Sequence, residues 1–227
     1  MGDGVASLTD CGAAEPRALC FALASAIVSW MKDPVAIPIH RDSDSGLMKD
    51  KPEHFDLQPR LVGELIEVRP LQPDDWEDLF AAAADPLIWE QHPAPDRYQE
   101  RVFREFFAEA LGTGSAFVVL DRKSGKTIGS SRFFGFDPEQ SVVEIGWTFL
   151  AREYWGGEYN GELKRLMLDH AFRFVDSVLF VIGVKNFRSQ KALEKIGGVR
   201  IGRRDKRDGQ GNVVENFVYE IRKNRRQ

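Results

Sequence analysis

The spacing of apolar positions changes several times along the chain, and each change marks an element. "LVGELIEVRPL", from Leu61, alternates like a strand. "PDDWEDLFAAAAD" follows, with Pro73 at its start and acids in its first turn, where the helix dipole favours them, and predicts a helix. "QERVFREFFAEAL" places Val102, Phe103, Phe106, Phe107, Ala110 and Leu111 on one face of a second helix. The period then shortens to two. "SAFVVLDRKSGKTIGSSRFFGF" reads as two strands joined at Lys123-Ser124-Gly125, and "SVVEIGWTFL" as a third. The clearest helix comes next, with Leu163, Leu166, Met167, His170, Ala171, Phe174 and Val175 at helical spacing. The strand "VLFVIGV", the short helix "RSQKALEKI" stopped by Gly197-Gly198, and a last alternating strand from Val213 to Ile221 complete the series. The order β-α-α-β-β-β-α-β-α-β predicts one mixed α/β (α+β) domain over 60–224, with no internal repeat.

Residues 1–59 lack this patterning and end in "HRDSDSGLMKDKPEHFDLQP", which reads as an N-terminal extension and linker. Met48 stands where an ordinary domain start would fall, so 1–47 are expected to lie outside the functional fold. "ALCFALASAIVSWM", Ala18 to Met31, is shorter than a membrane span and follows Asp3, Asp10 and Glu15 rather than basic residues. Neither a membrane partner nor a secretory signal is expected. Both cysteines, Cys11 and Cys20, lie in this stretch, so the main body has no disulfide framework and a reducing cytoplasm is expected.

Composition is that of an ordinary globular chain: 43% hydrophobic, 29% charged, net charge −4. The charge is uneven, with 13 Lys/Arg against 5 Asp/Glu from Lys185 to Gln227. That end can attract an anion. No aromatic-interleaved basic motif accompanies it, so no nucleic-acid partner is expected.

A strand, a glycine-containing turn and a helix together form the arrangement in which backbone N–H groups converge on an anion. "WGGEYNG", Trp155 to Gly161, stands at such a junction, and is either a plain chain reversal or a pyrophosphate cradle. It has neither P-loop nor dinucleotide-fold glycine spacing. No cysteine lies in the main body and no Gly-x-Ser-x-Gly elbow presents a nucleophile, so covalent catalysis has no evident agent. No His/Cys/Asp cluster has metal-ligand spacing, and no metal is expected.

Four passages together resemble the GNAT acetyltransferase superfamily, in particular its ribosomal-protein N-acetyltransferase-like branch: "VRPLQPDDWEDLFAAAADPLIWE", "VEIGWTFL", "YWGGEYNGELKRLMLDHAF" and "NFRSQKALEKIGG". The resemblance implies a mostly antiparallel central sheet flanked by helices, with two strands splayed at a cofactor cleft. It implies acetyl-CoA as cosubstrate and a primary amine as acceptor, on a small molecule or a protein N-terminus, attacked directly without an acyl-enzyme. A homodimer is compatible with it. Such a reaction needs positioning, worth up to roughly 7–11 kcal/mol, and donors aimed at the developing oxyanion.

By the same resemblance, Trp147, Thr148 and Phe149 pair with the pantetheine arm. Trp155, Gly156, Gly157, Glu158, Tyr159, Asn160 and Gly161 receive the pyrophosphate, and Asn186 and Ser189 hold the arm from the following strand. Lys191 and Lys195 are either phosphate ligands or solvated helix charges. Trp155, Glu158 and Asn160 depart from the family's usual Gln/Arg-x-x-Gly-x-Gly/Ala turn, and Glu158 would repel a pyrophosphate unless it turns to solvent. A non-catalytic acyl-CoA binding or sensing module is the alternative this raises.

An alkylamine of pKa near 10.4 is neutral in roughly one molecule in a few thousand at pH 7, so a proton acceptor is required. Glu144, an acid within an apolar strand, is the first candidate, and Asp208 the second; the plain readings are a solvent-facing strand residue and a hairpin turn. Ser189 matches the family position from which a hydroxyl protonates the leaving thiolate, and it is also a candidate helix cap. The tyrosine that serves other branches is replaced by Leu193. His170 reads as a hydrogen-bonded core residue, and His92 lies in a substrate-side loop.

Overall fold

The computed structural model describes residues 54–207 and 213–224. The extension up to residue 53 and Asp208 lie outside the described residues. The first predicted strand is two: β1 (Leu61–Val62) and β2 (Ile66–Pro70), folded on each other antiparallel. A 3-10 turn over Pro73–Asp75 leads into α1 (Trp76–Ala83), and α2 (Glu100–Gly112) follows a loop. Then come β3 (Ala116–Asp121), β4 (Thr127–Asp137), β5 (Val142–Leu150), α3 (Tyr159–Ala171), β6 (Ser177–Gly183) and α4 (Phe187–Glu194). The chain ends in β7 (Val199–Arg203), β8 (Lys206–Arg207), β9 (Val213–Val214) and β10 (Asn216–Arg222).

Eight strands form one sheet in the order β1-β2-β3-β4-β5-β6-β10-β7, and β8 and β9 pair separately. Every pairing in the large sheet is antiparallel except β5 with β6. The expected mixed, mostly antiparallel sheet is therefore present. Both of its faces are covered, which explains the nearly unbroken apolar run of β3. Phe117 and Val119 join the cluster under α3, while Ala116 and Val118 join the one under α1 and α2.

Several expectations are corrected. Gly63 makes the β1–β2 turn, where the Glu162 carboxylate accepts the N–H groups of Glu64, Leu65 and Ile66 at 2.7, 2.8 and 2.9 Å. A Cβ at Gly63 would lie 2.5 Å from that carboxylate carbon. α3 stops at Ala171, although Phe174 and Val175 remain buried. β7 follows the paired glycines as an added edge strand on β10. Gly197 takes φ +91°, and Gly198 returns its N–H to Leu193 O at 3.0 Å, closing α4 as its glycines predict. The passage read as linker contributes Phe55 to the core, packed against Phe133, Phe136, His170 and Phe174.

One irregularity positions the site. Ser130 faces Phe149 and Arg132 faces Gly146, so one residue of β4 is opposed by two of β5, and Trp147 takes φ +52°. This is a bulge. It reverses the alternation: Val143 and Ile145 face α3, but Trp147 and Phe149 face the α1/α2 side, and Leu150 returns to α3. A left-handed tryptophan costs about 1–3 kcal/mol, which the surrounding packing must offset.

Candidate active site

The site grows from the fork between β5 and β6. Their registered pairing covers only Val142–Glu144 against Ser177–Leu179, so from Ile145 onward β5 has no registered partner on that side. The splay expected at "GWTFL" is thus present. A cleft of about 170 Å³ opens there, with Thr148, Phe149 and Leu150 on one wall and Asn186, Arg188, Ser189 and Ala192 on the other. Trp155, Gly156 and Asn160 form its end, and Ile88, Trp89 and His92 close it from the loop before α2. A larger, more open hollow of about 690 Å³ lies beside α1. Its walls carry Asp78, Asp85 and Glu153 against Lys126 and Arg152, and Arg152 is paired to Asp85.

At the cleft's end Gly156 takes φ +73° and turns the chain into α3. The N–H groups of Tyr159, Asn160 and Gly161 have no intrahelical acceptor by helix geometry. Glu158 occupies the N-cap position, but its side chain makes no cap and is exposed. The acid therefore points to solvent rather than onto these donors, which face an anion with the positive end of the helix dipole.

Of the candidate cofactor residues, the structure brings Thr148, Phe149, Trp155, Gly156, Asn160, Asn186 and Ser189 to one cleft. Trp147 points to the opposite side of β5, beside Phe134 and 4.6 Å beneath the Arg132 guanidinium. Tyr159 packs on Tyr154 and donates its hydroxyl to Asp121 at 3.1 Å. Its side chain is thus a structural anchor. Gly157 and Gly161 are exposed and do not line the cleft, nor do the exposed Lys191 and Lys195. The α4 cap is Asn186, whose Oδ1 accepts the Ser189 N–H at 3.1 Å, so Ser189 is not the cap, and it lines the cleft.

Glu144 stands at the fork, the last β5 residue paired to β6, and is buried. It does not line the cleft, and its carboxylate meets Arg204 at 3.4 Å. His92 accepts the Ala94 N–H on Nδ1 at 2.9 Å. Burial, then the Arg97 charge, push its pKa down to about 3. Nε2 lies 3.4 Å from Arg97 Nη1. His170 is a core residue as expected, with Nε2 at 2.7 Å from Asp56 O among Phe55, Phe133 and Phe174.

Two cations at the site are absent from the motif reading. Lys164 is buried on α3, donates to Thr148 Oγ1 at 2.7 Å and sits 5.4 Å from the Phe180 ring; burial lowers its pKa to about 7. Its signal is positional, since Lys164 falls on the face shared by buried Leu168 and Ala171. Arg188 stacks 3.9 Å over the Trp155 indole and donates to Ile88 O at 2.8 Å, tying α4 to the loop that closes the cleft.

The forked strand pair leads to an uncapped helix start, which makes the end of the cleft a place for an anionic group. Residues 66–199 match the acetyltransferase (GNAT) domain, more than half of the chain, and the protein belongs to the GNAT acetyltransferase family. Among solved structures, a protein from T. thermophilus assigned as an acetyltransferase is 28% identical over 77% of this chain and 92% of its own, with TM-score 0.60. A GNAT-family acetyltransferase from Bacillus anthracis is 23% identical over 72% of this chain and 98% of its own, TM-score 0.60. Mycobacterium smegmatis RimJ, in complex with CoA-disulfide, shares the fold at 16% identity, covering 69% of this chain and 81% of its own, TM-score 0.55. No curated protein matches the chain. Among the described residues, no helix is long and apolar enough to cross a membrane, and no metal-binding group of His, Cys, Asp and Glu is found.

Proposed function

We propose that this protein transfers an acetyl group from acetyl-CoA to a primary amine by direct attack. The observation that carries this reading is the β5–β6 fork ending on the uncapped start of α3. The open edge of β5 at Thr148 and Phe149 pairs with the pantetheine arm, and the N–H groups of Tyr159, Asn160 and Gly161 take the pyrophosphate. One proton of the acceptor ammonium passes through solvent to Glu144 or Asp208, and the neutral amine nitrogen then bonds to the thioester carbon. As the C–S bond breaks, the departing thiolate takes the Ser189 hydroxyl proton while Ser189 takes the second proton from the nitrogen, so the hydroxyl is restored and amide and free thiol are released. Positioning and the fixed backbone donors supply most of the acceleration, and no acyl-enzyme forms. Protein N-termini, as in the ribosomal-protein branch, and small amines in the cytoplasm are the acceptor classes to test first.

Glu144, buried, paired with Arg204 and outside the cleft lining, favours the second reading, a non-catalytic acyl-CoA sensor. Incubation with acetyl-CoA and a broad amine panel, following free thiol and acetylated product, separates them. Turnover with at least one amine is expected; saturable CoA binding with no thiol release across the panel would establish the sensor instead.

A further inference from the structure

The floor of the β5–β6 fork is filled by a charge. The two strands part after Glu144 and Leu179, and beyond that point the Lys164 ammonium stands between them, 2.7 Å from Thr148 Oγ1 on β5 and 5.4 Å from the Phe180 ring on β6. Lys164 is buried, as are Leu163, Met167, Leu168 and Ala171 around it on α3. A methionine or leucine would fill this place without the desolvation of an ammonium. Lysine adds one thing a hydrocarbon lacks, a donor to Thr148.

Thr148 carries that bond to the site. It lines the cleft, whereas Lys164 does not. Its Oγ1 also meets Ser131 Oγ of β4 at 2.8 Å, and both hydroxyls lie 3.4 Å from Gly146 O, so the cluster straddles Trp147 with its φ of +52°. Backbone in that region persists only where its surroundings fix it. One turn before Lys164, on the same side of α3, Asn160 lines the end of the cleft. The Lys164–Thr148 hydrogen bond therefore joins the helix whose start faces an anion to the strand whose free edge borders the cleft.

We infer that Lys164 is a positioning residue for acyl transfer: bound to Thr148, it sets the free edge of β5 against the start of α3, so that an arm held at both places presents its thioester at one fixed point. The inference rests on the N-acetyltransferase reading for its use, and one arm of its test needs no turnover. The effect falls on rate rather than affinity, because the proposed CoA contacts are backbone groups that a change at Lys164 leaves in place. Misplacing a reacting atom by about 1 Å can slow a reaction roughly a hundredfold.

Lys164→Met, Thr148→Val, Thr148→Ser and the double variant Lys164→Met with Thr148→Val are compared with the parent as full chains. The measurements are kcat and KM with the best amine, CoA affinity by calorimetry, and urea unfolding. Lys164→Met is expected to lower kcat roughly tenfold to hundredfold while CoA affinity is unchanged and stability does not fall. A lysine with a merely structural role would leave kcat where it was. Thr148→Ser keeps the acceptor and should keep the parent's kcat; Thr148→Val should lose about what Lys164→Met loses, and the double variant no more than either alone. An unchanged kcat in Lys164→Met, a loss of CoA affinity equal to the loss of rate, or losses that multiply in the double variant would overturn the inference.

A CoA titration followed by ¹H–¹⁵N NMR separates this outcome from the fate of the transferase reading. Saturable shifts at the Thr148 and Phe149 amides are expected to vanish in Lys164→Met while those at Tyr159, Asn160 and Gly161 persist. That result without turnover of any amine by the parent would sustain the positioning role and refute the transferase reading. Identical shifts in parent and variant, with turnover at equal rates, would overturn the inference and leave the reading standing.

Discussion

Replacing Lys164 by Met removes a buried charge while leaving its neighbours satisfied. The ammonium donates to Thr148 Oγ1, and that hydroxyl keeps Ser131 Oγ at 2.8 Å when the lysine is gone. Burial lowers the lysine's pKa from 10.5 to about 7, so between those values the unfolded chain binds a proton that the folded chain releases. Stability therefore rises with pH across this window, and the full cost of the lysine is present below about pH 7. At about 1.4 kcal/mol per pH unit the ceiling is ~5 kcal/mol; local opening and water entry reduce the realised value to about 1–4 kcal/mol.

Lys164→Met should accordingly be more stable than the parent by that amount at pH 7, with the advantage shrinking steadily toward pH 10. Urea unfolding of both proteins at unit pH steps reads this directly, because tyrosines and other groups cancel in the difference. A Met variant less stable at pH 7, or a difference that does not change with pH, would refute the account of Lys164 as an ammonium whose desolvation outweighs its contacts with Thr148 and Phe180.

Glu162→Ala orphans the three backbone N–H groups of the β1–β2 turn and should cost about 2–4 kcal/mol by chemical denaturation. Burial raises the Glu162 pKa, but the three backbone donors and Arg165 outweigh it, so the carboxyl is held below 4.5 and its stabilising effect is lost as pH falls through that lowered value. Glu158→Gln removes a negative charge from the start of α3 and should tighten CoA binding by about threefold at low salt, measured by calorimetry, with the gain fading as ionic strength rises. Phe55→Ala should cost about 3–4 kcal/mol in thermal or urea unfolding, and deletion of 1–53 should be tolerated where deletion of 1–59 is not.

The elements legible in the sequence are those with one buried face. α2 buries Phe103, Phe106, Phe107 and Ala110, and α3 buries Leu163, Met167 and Ala171, so their spacing announces them. β7 was not legible because all five of its residues are exposed; an edge strand held by backbone pairing to β10 leaves no alternation to detect. The β1–β2 hairpin was hidden for a different reason. Its turn depends on Glu162, about a hundred residues away, and no local signal records that contact. At the cleft, the glycine turn was legible from its place between a strand and a helix, and Asn186 and Ser189 through the resemblance to the GNAT superfamily. Arg132, Lys164 and Arg188 were missed because their meaning lies in what buries them, which only the tertiary fold determines.

The bulge in β5 joins these missed cations into one arrangement. In a regular strand, Thr148 would share a face with Gly146 and Glu144, and Trp147 would share one with Ile145, beneath α3. The extra residue exchanges them, sending Thr148 toward Lys164 and Trp147 beneath Arg132. Each buried cation thus meets a partner that an unbroken β5 would have turned away. The two lie on opposite faces of the strand whose free edge borders the cleft. Deviation from regular pairing at Trp147 therefore does more than open a groove: it sets Thr148 and Trp147 on opposite faces of β5. The left-handed φ of a tryptophan is the strain that accompanies this exchange, and packing of its half-buried ring against Phe134 and Arg132 is what offsets it.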